Sequence, residues 1–345
     1  MNDQNQSIND SNQKTKYAQI KQFDVINNIK AIALLMVLQI HLFIYYNPNQ
    51  YWFCRIFRIT QNIVGNLGVP SFFFISGFLF FKTISTQNLK ISYKEKLKKR
   101  AKTLLIPYII WNLFGCLLGF IYLKTGLLTA NSMFCDFNFI KFIKYILLSW
   151  GDIPLWYVRN LIVICLLSPL IYQIIRFGKK FILFVFLLIF SLTYPEYYFS
   201  SSTIWFCVGA FCAIEKIDFL SFFTKHLNLF LILYIFSISI YISGMKHFLS
   251  LVLLSGVPLF FGLTNKYSIK IPDILIRNAF FIYCSHFFIS KIYEHTIHFF
   301  YNLNTFSYIC LIIMLFLLQI SICIISAEAL KKICNPFYRL INGNR

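Results

Sequence analysis

Residues 30–46 read KAIALLMVLQIHLFIYY. A lysine opens the run, a histidine stands eleven residues later, and nearly everything else is aliphatic or aromatic. Seventeen residues is the lower end of what crosses a bilayer as a helix, which takes about 17–25. Comparable apolar runs follow along the whole chain: 27–46, 61–81, 103–123, 154–175, 181–195, 201–215, 227–244, 248–264, 277–299 and 305–330. The pattern predicts an all-α, polytopic integral membrane protein with about 10 transmembrane helices. The runs 181–195 and 201–215 are short, and read as tilted half-length helices or one broken hairpin.

Composition points the same way. Of 345 residues, 58% are apolar and 13% are charged. The charged share is about half that of an ordinary soluble domain, too small to build a polar shell and too apolar for intrinsic disorder. The 10 cysteines are scattered with no CxxC pair, which excludes a disulfide scaffold and leaves them as small apolar filler. Residues 1–22 are rich in Asn, Gln and Ser and lack the apolar stretch of a cleaved signal peptide. They are expected as a disordered cytoplasmic tail, ahead of a single transmembrane domain at 23–345.

The net charge is +20. With the N-terminus in the cytoplasm, 23 of the 32 Lys and Arg residues fall in cytoplasmic segments, 8 of them between Lys82 and Lys102. This bias predicts that both termini are cytoplasmic. It also accounts for the basic surplus through topology and contact with anionic membrane lipids, so nucleic acid is not an expected partner. There is no GxGxxG, P-loop or HExxH motif and no His/Cys metal spacing, so no metal is expected.

A charge at the bilayer centre costs roughly 2.5–3.5 kcal/mol on insertion scales, so ionisable groups within spans are functional candidates. His41 leads. At about 1.5 Å per residue it lies about 16 Å from Lys30, on nearly the same helix face. Imidazole is the side chain best suited to take a proton from a hydroxyl near neutral pH. His286, in RNAFFIYCSHFFIS, is expected at a comparable depth; for both, the competing reading is a structural histidine. Ser76-Gly77, in GVPSFFFISGF (68–78), reads as a nucleophile or, better, as a close helix contact. In PLWYVRNL (154–161), Arg159 wants a carboxylate, a phosphate or carbonyl oxygens. Beside it Trp156, Tyr157 and Asn160 suit either the membrane interface or a sugar face. The basic collar KEKLKKRAKTLLIPYIIW (94–111) is a topology anchor or a dock for a polyanion.

Taken in order, these stretches resemble acyltransferase family 3, the integral-membrane acyltransferases that O-acetylate bacterial surface glycans. The resemblance rests on five motifs: Lys30–x10–His41; Gly68 to Phe78; Lys99-Arg100 followed by Pro107-Tyr108; Pro154 to Leu161; and Phe280 to His286. The C-terminal NPFYRLINGNR is also similar. Lys30 stands where the family has Arg, which keeps the charge but not the bidentate fork. Thr103 stands where the family has a second Arg.

The resemblance implies an enzyme of the bacterial inner membrane. Its donor would be acyl-CoA (acetyl-CoA) on the cytoplasmic side, and its acceptor a cell-envelope glycan or lipid-linked sugar. The donor phosphates would meet Lys30, Lys99, Arg100 and Lys102. His41 would act as base or acyl relay, and Arg159, Ser76 or His286 would meet the oxyanion. Trp156, Tyr157 and Asn160 would face the acceptor. A transporter or flippase of a lipid-linked sugar is the alternative, but such proteins often carry a repeat, and none is visible.

Overall fold

The structure is a computed structural model, and it describes residues 2–42, 51–84, 88–125, 138–192, 198–245, 248–296, 300 and 303–344. Among these residues there are helices and no strands. In chain order they are α1 (Asn2–Ile40), α2 (Tyr51–Ile63), α3 (Gly68–Lys82), α4 (Leu89–Arg100) and α5 (Ile106–Lys124). Next come α6 (Phe139–Leu147), α7 (Trp156–Leu166), α8 (Ser168–Leu192), α9 (Tyr198–Ile214) and α10 (Phe219–Lys225). The last are α11 (Leu227–Ile242), α12 (Leu249–Lys266), α13 (Asp273–Thr296), α14 (Thr305–Ile333) and α15 (Asn335–Ile341).

Five helical stretches among the described residues are long and apolar enough to cross a membrane, or seven if two bent pairs each count as one span. These stretches, counted on the described residues alone, do not confirm the count of ten. The run at 201–215 forms a helix of ordinary globular length, Ser201–Ile214. α13 is long enough but carries Asp273, Arg277, Lys291 and Glu294. The two bends come at Ile153–Leu166 against Ser168–Gly178 (63°) and Phe219–Lys225 against Leu227–Ile242 (73°). At the first, Ser168 Oγ donates to the Cys165 carbonyl, satisfying a backbone group that the kink releases.

Two expected boundaries move. Arg176, Lys179 and Lys180, expected in a loop between spans, lie within the continuous helix α8. No proline interrupts it, and the lone Gly178 costs only about 1 kcal/mol in a helix. Residues 2–22, expected as a disordered tail, stand as the N-terminal part of α1. A helix already nucleated in the span lengthens without a second nucleation cost. The ends of the expected spans 27–46, 181–195 and 277–299 lie outside the described residues.

The centre of the bundle is the crossing of α3 and α9. A Cβ on Gly77 would stand 2.1 Å from the Phe206 carbonyl oxygen, and one on Gly209 would stand 1.9 Å from that of Phe74. Each glycine thus admits the other helix's backbone, and Gly77 serves the close packing that the sequence favours. Phenylalanine fills the space around the crossing, with Phe74 in edge-to-face contact with both Phe219 and Phe261. Large apolar side chains such as Ile232, Phe236, Ile313 and Leu317 are exposed on the outside, as a lipid-facing surface requires.

Candidate functional site

Two histidines far apart in sequence meet inside the bundle. The rings of His41 and His286 lie 5.2 Å apart, centroid to centroid. His41 follows the last residue of α1 and is half-buried; His286, in mid-α13, is fully buried. Phe287 packs edge-on against His41. The turn that carries His41 is held by Gln61 of α2, whose Nε2 donates to the carbonyls of Gln39, Ile40 and Leu42. These are carbonyls that a helix end leaves without intrahelical partners.

His286 is fixed more tightly. Its Nδ1 lies 2.7 Å from the Tyr283 carbonyl. A carbonyl only accepts, so Nδ1 carries the hydrogen and Nε2 of the neutral ring holds the lone pair. That Nε2 is buried, with no hydrogen-bond partner among the described residues. Gln319 of α14, itself buried, donates to the His286 carbonyl at 2.9 Å and to Ser290 Oγ at 2.6 Å. Sequence reading passed over Gln319 and Gln61. For Gln319 the signal was present: it is the one amide in the apolar run LFLLQISICII.

A polar path leads away from this pair. The Tyr283 ring lies 6.0 Å from that of His286 and 5.7 Å from that of Tyr157. Tyr283 donates its hydroxyl to the Pro154 carbonyl, which ties α13 to the turn before α7. The hydroxyls of Tyr157 and Ser76 are 3.3 Å apart. Tyr283, Tyr157 and Ser76 then line a cavity of about 430 Å³, and Lys30, Lys99 and Arg100 line the same cavity. Residues scattered from 30 to 283 thus share one chamber, cationic on one wall and hydroxyl-bearing on another.

The local backbone explains which part of the basic collar faces inward. Between α4 and α5, residues Ala101–Leu105 form a π-helical turn. Such turns insert an extra residue into a helix and re-aim the side chains around it. Lys99, Arg100, Thr103 and Leu104 line the cavity, while Lys102 is exposed and does not. The chain end closes the chamber. Gly343 adopts φ +70°, a conformation that favours glycine, and a Cβ there would meet the Thr103 carbonyl oxygen at 2.4 Å. Trp111 Nε1 donates to the Ile341 carbonyl at 3.1 Å, and Gly343 and Asn344 form part of the cavity wall.

Other expected residues lie apart from the chamber. Arg159 Nη1 donates to the Leu148 carbonyl at 3.0 Å, and Nε and Nη2 donate to Asn160 Oδ1 at 3.3 and 3.2 Å. Carbonyl and amide oxygens thus satisfy the guanidinium. Asn160 is buried as its partner, and neither they nor Trp156 line the cavity. The structure also adds Asp152, which sequence reading missed. It is fully buried at the turn before α7, and neither carboxylate oxygen has a hydrogen-bond partner among the described residues. Burial pushes its carboxyl well above the usual carboxylate range.

The described geometry comprises a cationic chamber, a hydroxyl-lined wall and a pair of imidazoles, one half-buried and one fully buried. No curated protein and no solved structure is similar enough to the chain to match it. A family profile described as an acyltransferase domain matches residues 23–328, which takes in every one of these features except the C-terminal wall. The chain therefore belongs to acyltransferase family 3, and it is a membrane protein carrying an acyltransferase domain.

Proposed function

We propose that this chain moves an acetyl group from acetyl-CoA to a hydroxyl of a cell-envelope glycan or lipid-linked sugar in the bacterial inner membrane. The observation that carries this reading is the chamber shared by Lys30, Lys99, Arg100, Ser76, Tyr157 and Tyr283, with His286 beside Tyr283 and His41 beyond it. Lysine and arginine suit the donor's phosphates through charge-assisted hydrogen bonds. The positive-inside bias of the sequence supports a cytoplasmic position for this cationic end, on the side where acyl-CoA would be supplied.

In this reading His41 takes the proton of the acceptor hydroxyl. It is the half-buried member of the pair and can touch substrate, whereas His286 is fully enclosed and acts through it. The acceptor oxygen attacks the thioester carbonyl, a carbon–oxygen bond forms, and the carbon–sulfur bond breaks. The CoA thiolate leaves and takes up the proton. Ser76 and Tyr157 hydroxyls are placed on the wall to donate to the developing oxyanion. Arg159, turned onto the Leu148 carbonyl, is a structural anchor in this scheme.

The test is purified protein with radiolabelled acetyl-CoA and cell-envelope glycan, wild type against His41→Ala. Transfer by the wild type and its loss in a correctly folded variant is the expected result. Equal transfer by both overturns the role of His41. Movement of glycan across liposomes with no CoA release favours the flippase reading instead.

A further inference from the structure

A second cavity, of about 760 Å³, adjoins the first and shares Lys30, Ala279, Phe280 and Asn344 with it. Its remaining cations are Arg277 at the start of α13, Lys331 at the end of α14 and Arg339 on α15. Arg277 and Lys331 lie outside the five family motifs quoted above, and Arg339 falls in the C-terminal NPFYRLINGNR. They reach one place because Tyr338 donates to Asn278 Oδ1 at 2.8 Å and Asn278 Nδ2 donates to Glu328 Oε1 at 2.9 Å. That chain of bonds joins α15, α13 and α14. Glu328 sits close to Arg277 and Lys331, but one carboxylate among this many cations leaves a positive surplus.

Like charges brought together by a fold cost free energy unless an anion offsets them. The lining is not that of a simple phosphate sink. Phe23, Phe280 and Tyr338 supply aromatic faces, while Asn27, Asn335 and Asn344 supply amides. Aromatic faces stack nucleobases, and side-chain amides pair with base edges. Two adjoining cavities, each cationic and joined at Lys30, fit a ligand with two separate anionic centres and a base at one end.

We infer that the cavity of Arg277, Lys331 and Arg339 holds the 3′-phosphorylated nucleotide end of the donor and selects for the 3′-phosphate, while Lys30, Lys99 and Arg100 hold its diphosphate. This rests on the acyl-CoA reading above. A phosphate monoester carries nearly two negative charges at neutral pH, so the 3′-phosphate is the most concentrated charge on the donor. Arg339 and Arg277 are exposed enough to turn toward it.

The test is equilibrium binding of CoA and of 3′-dephospho-CoA to the full chain in neutral-lipid nanodiscs. The wild type is expected to bind CoA about tenfold tighter than 3′-dephospho-CoA, a factor worth about 1.4 kcal/mol. Arg339→Ala together with Lys331→Ala is expected to bind both with the wild type's affinity for 3′-dephospho-CoA. Arg339→Lys keeps the charge and is expected to retain part of the preference, so the loss is not one of folding. Arg100→Ala is expected to weaken both ligands alike. Equal wild-type affinities, or a preference that survives Arg339→Ala with Lys331→Ala, overturns the inference while leaving the donor reading intact. Binding of neither ligand by the wild type overturns the donor reading and the inference with it.

Discussion

The imidazole pair and the cationic end of the bundle are built on opposite principles. His286 is fully buried, its ring orientation set by the Tyr283 carbonyl and its backbone held by Gln319. Lys99, Arg277 and Arg339 are exposed, each on a flexible side chain at a helix end or turn. A proton acceptor must meet its partner at a hydrogen-bond distance, so its position is fixed by packing. A polyanion is held by summed charge, which tolerates movement. The two regions are therefore expected to respond differently to mutation, salt and pH.

The largest effect is expected within the pair. His41→Ala and His286→Ala should each lower kcat about 10²–10⁴-fold, the usual weight of a proton-transfer group. The double variant should be little worse than either single one, because groups that act as a unit are not additive. Single-turnover rates of the three variants test this; additive losses would separate the two rings.

Arg100→Ala is expected to raise the KM for acyl-CoA about tenfold with kcat unchanged, as loss of uniform binding does. The effect should shrink as salt rises, since the Debye length falls from about 10 Å at 0.1 M to about 3 Å at 1 M. The losses in the His41 and His286 variants should not depend on salt. A salt-independent Arg100 effect would mean that Arg100 acts through packing and would erase the contrast.

Gln319→Leu probes how far the dry region depends on its frame. The change removes donors to the His286 carbonyl and Ser290, and is expected to cost about 1–3 kcal/mol of stability. It should lower kcat severalfold and leave the donor KM alone. An altered KM with normal kcat would place Gln319 outside the imidazole frame.

The all-α membrane architecture was legible in the hydropathy pattern, and several candidate site residues lie together in the fold. Ser76 stood out because a polar group within an apolar span is conspicuous, whereas Lys99 and Arg100 stood out as a basic collar; the cavity gathers these with Lys30 and Tyr157. Lys102 was grouped with its neighbours because sequence adjacency does not reveal the π-helical turn that leaves it outside. Arg159 was legible as a buried cation but not as one satisfied by a carbonyl eleven residues before it. The course of the spans was less legible for a related reason. Hydropathy finds apolar stretches but not bends, and the kink at Leu167 divides the expected span 154–175. Asp152 escaped notice because one acid in an apparent loop looks solvated until the fold buries it.

Asp152 gives the smallest expected effect and the sharpest test of the dry region's edge. Its folded carboxyl titrates above the ordinary unfolded value of about 3.9, so between these two values the folded chain holds a proton that the unfolded chain has lost. Stability must then fall as pH rises through that interval. Asp152→Asn puts a neutral amide of the same shape in place of the protonated acid and removes the titration. The variant should melt close to the wild type at pH 4, and above it by a margin that grows toward pH 8. Melting curves of both proteins in detergent, taken across that range, measure the margin. A constant margin would mean that the folded carboxyl titrates no higher than the unfolded one and is ionised across this range, which would put the turn before α7 outside the dry region.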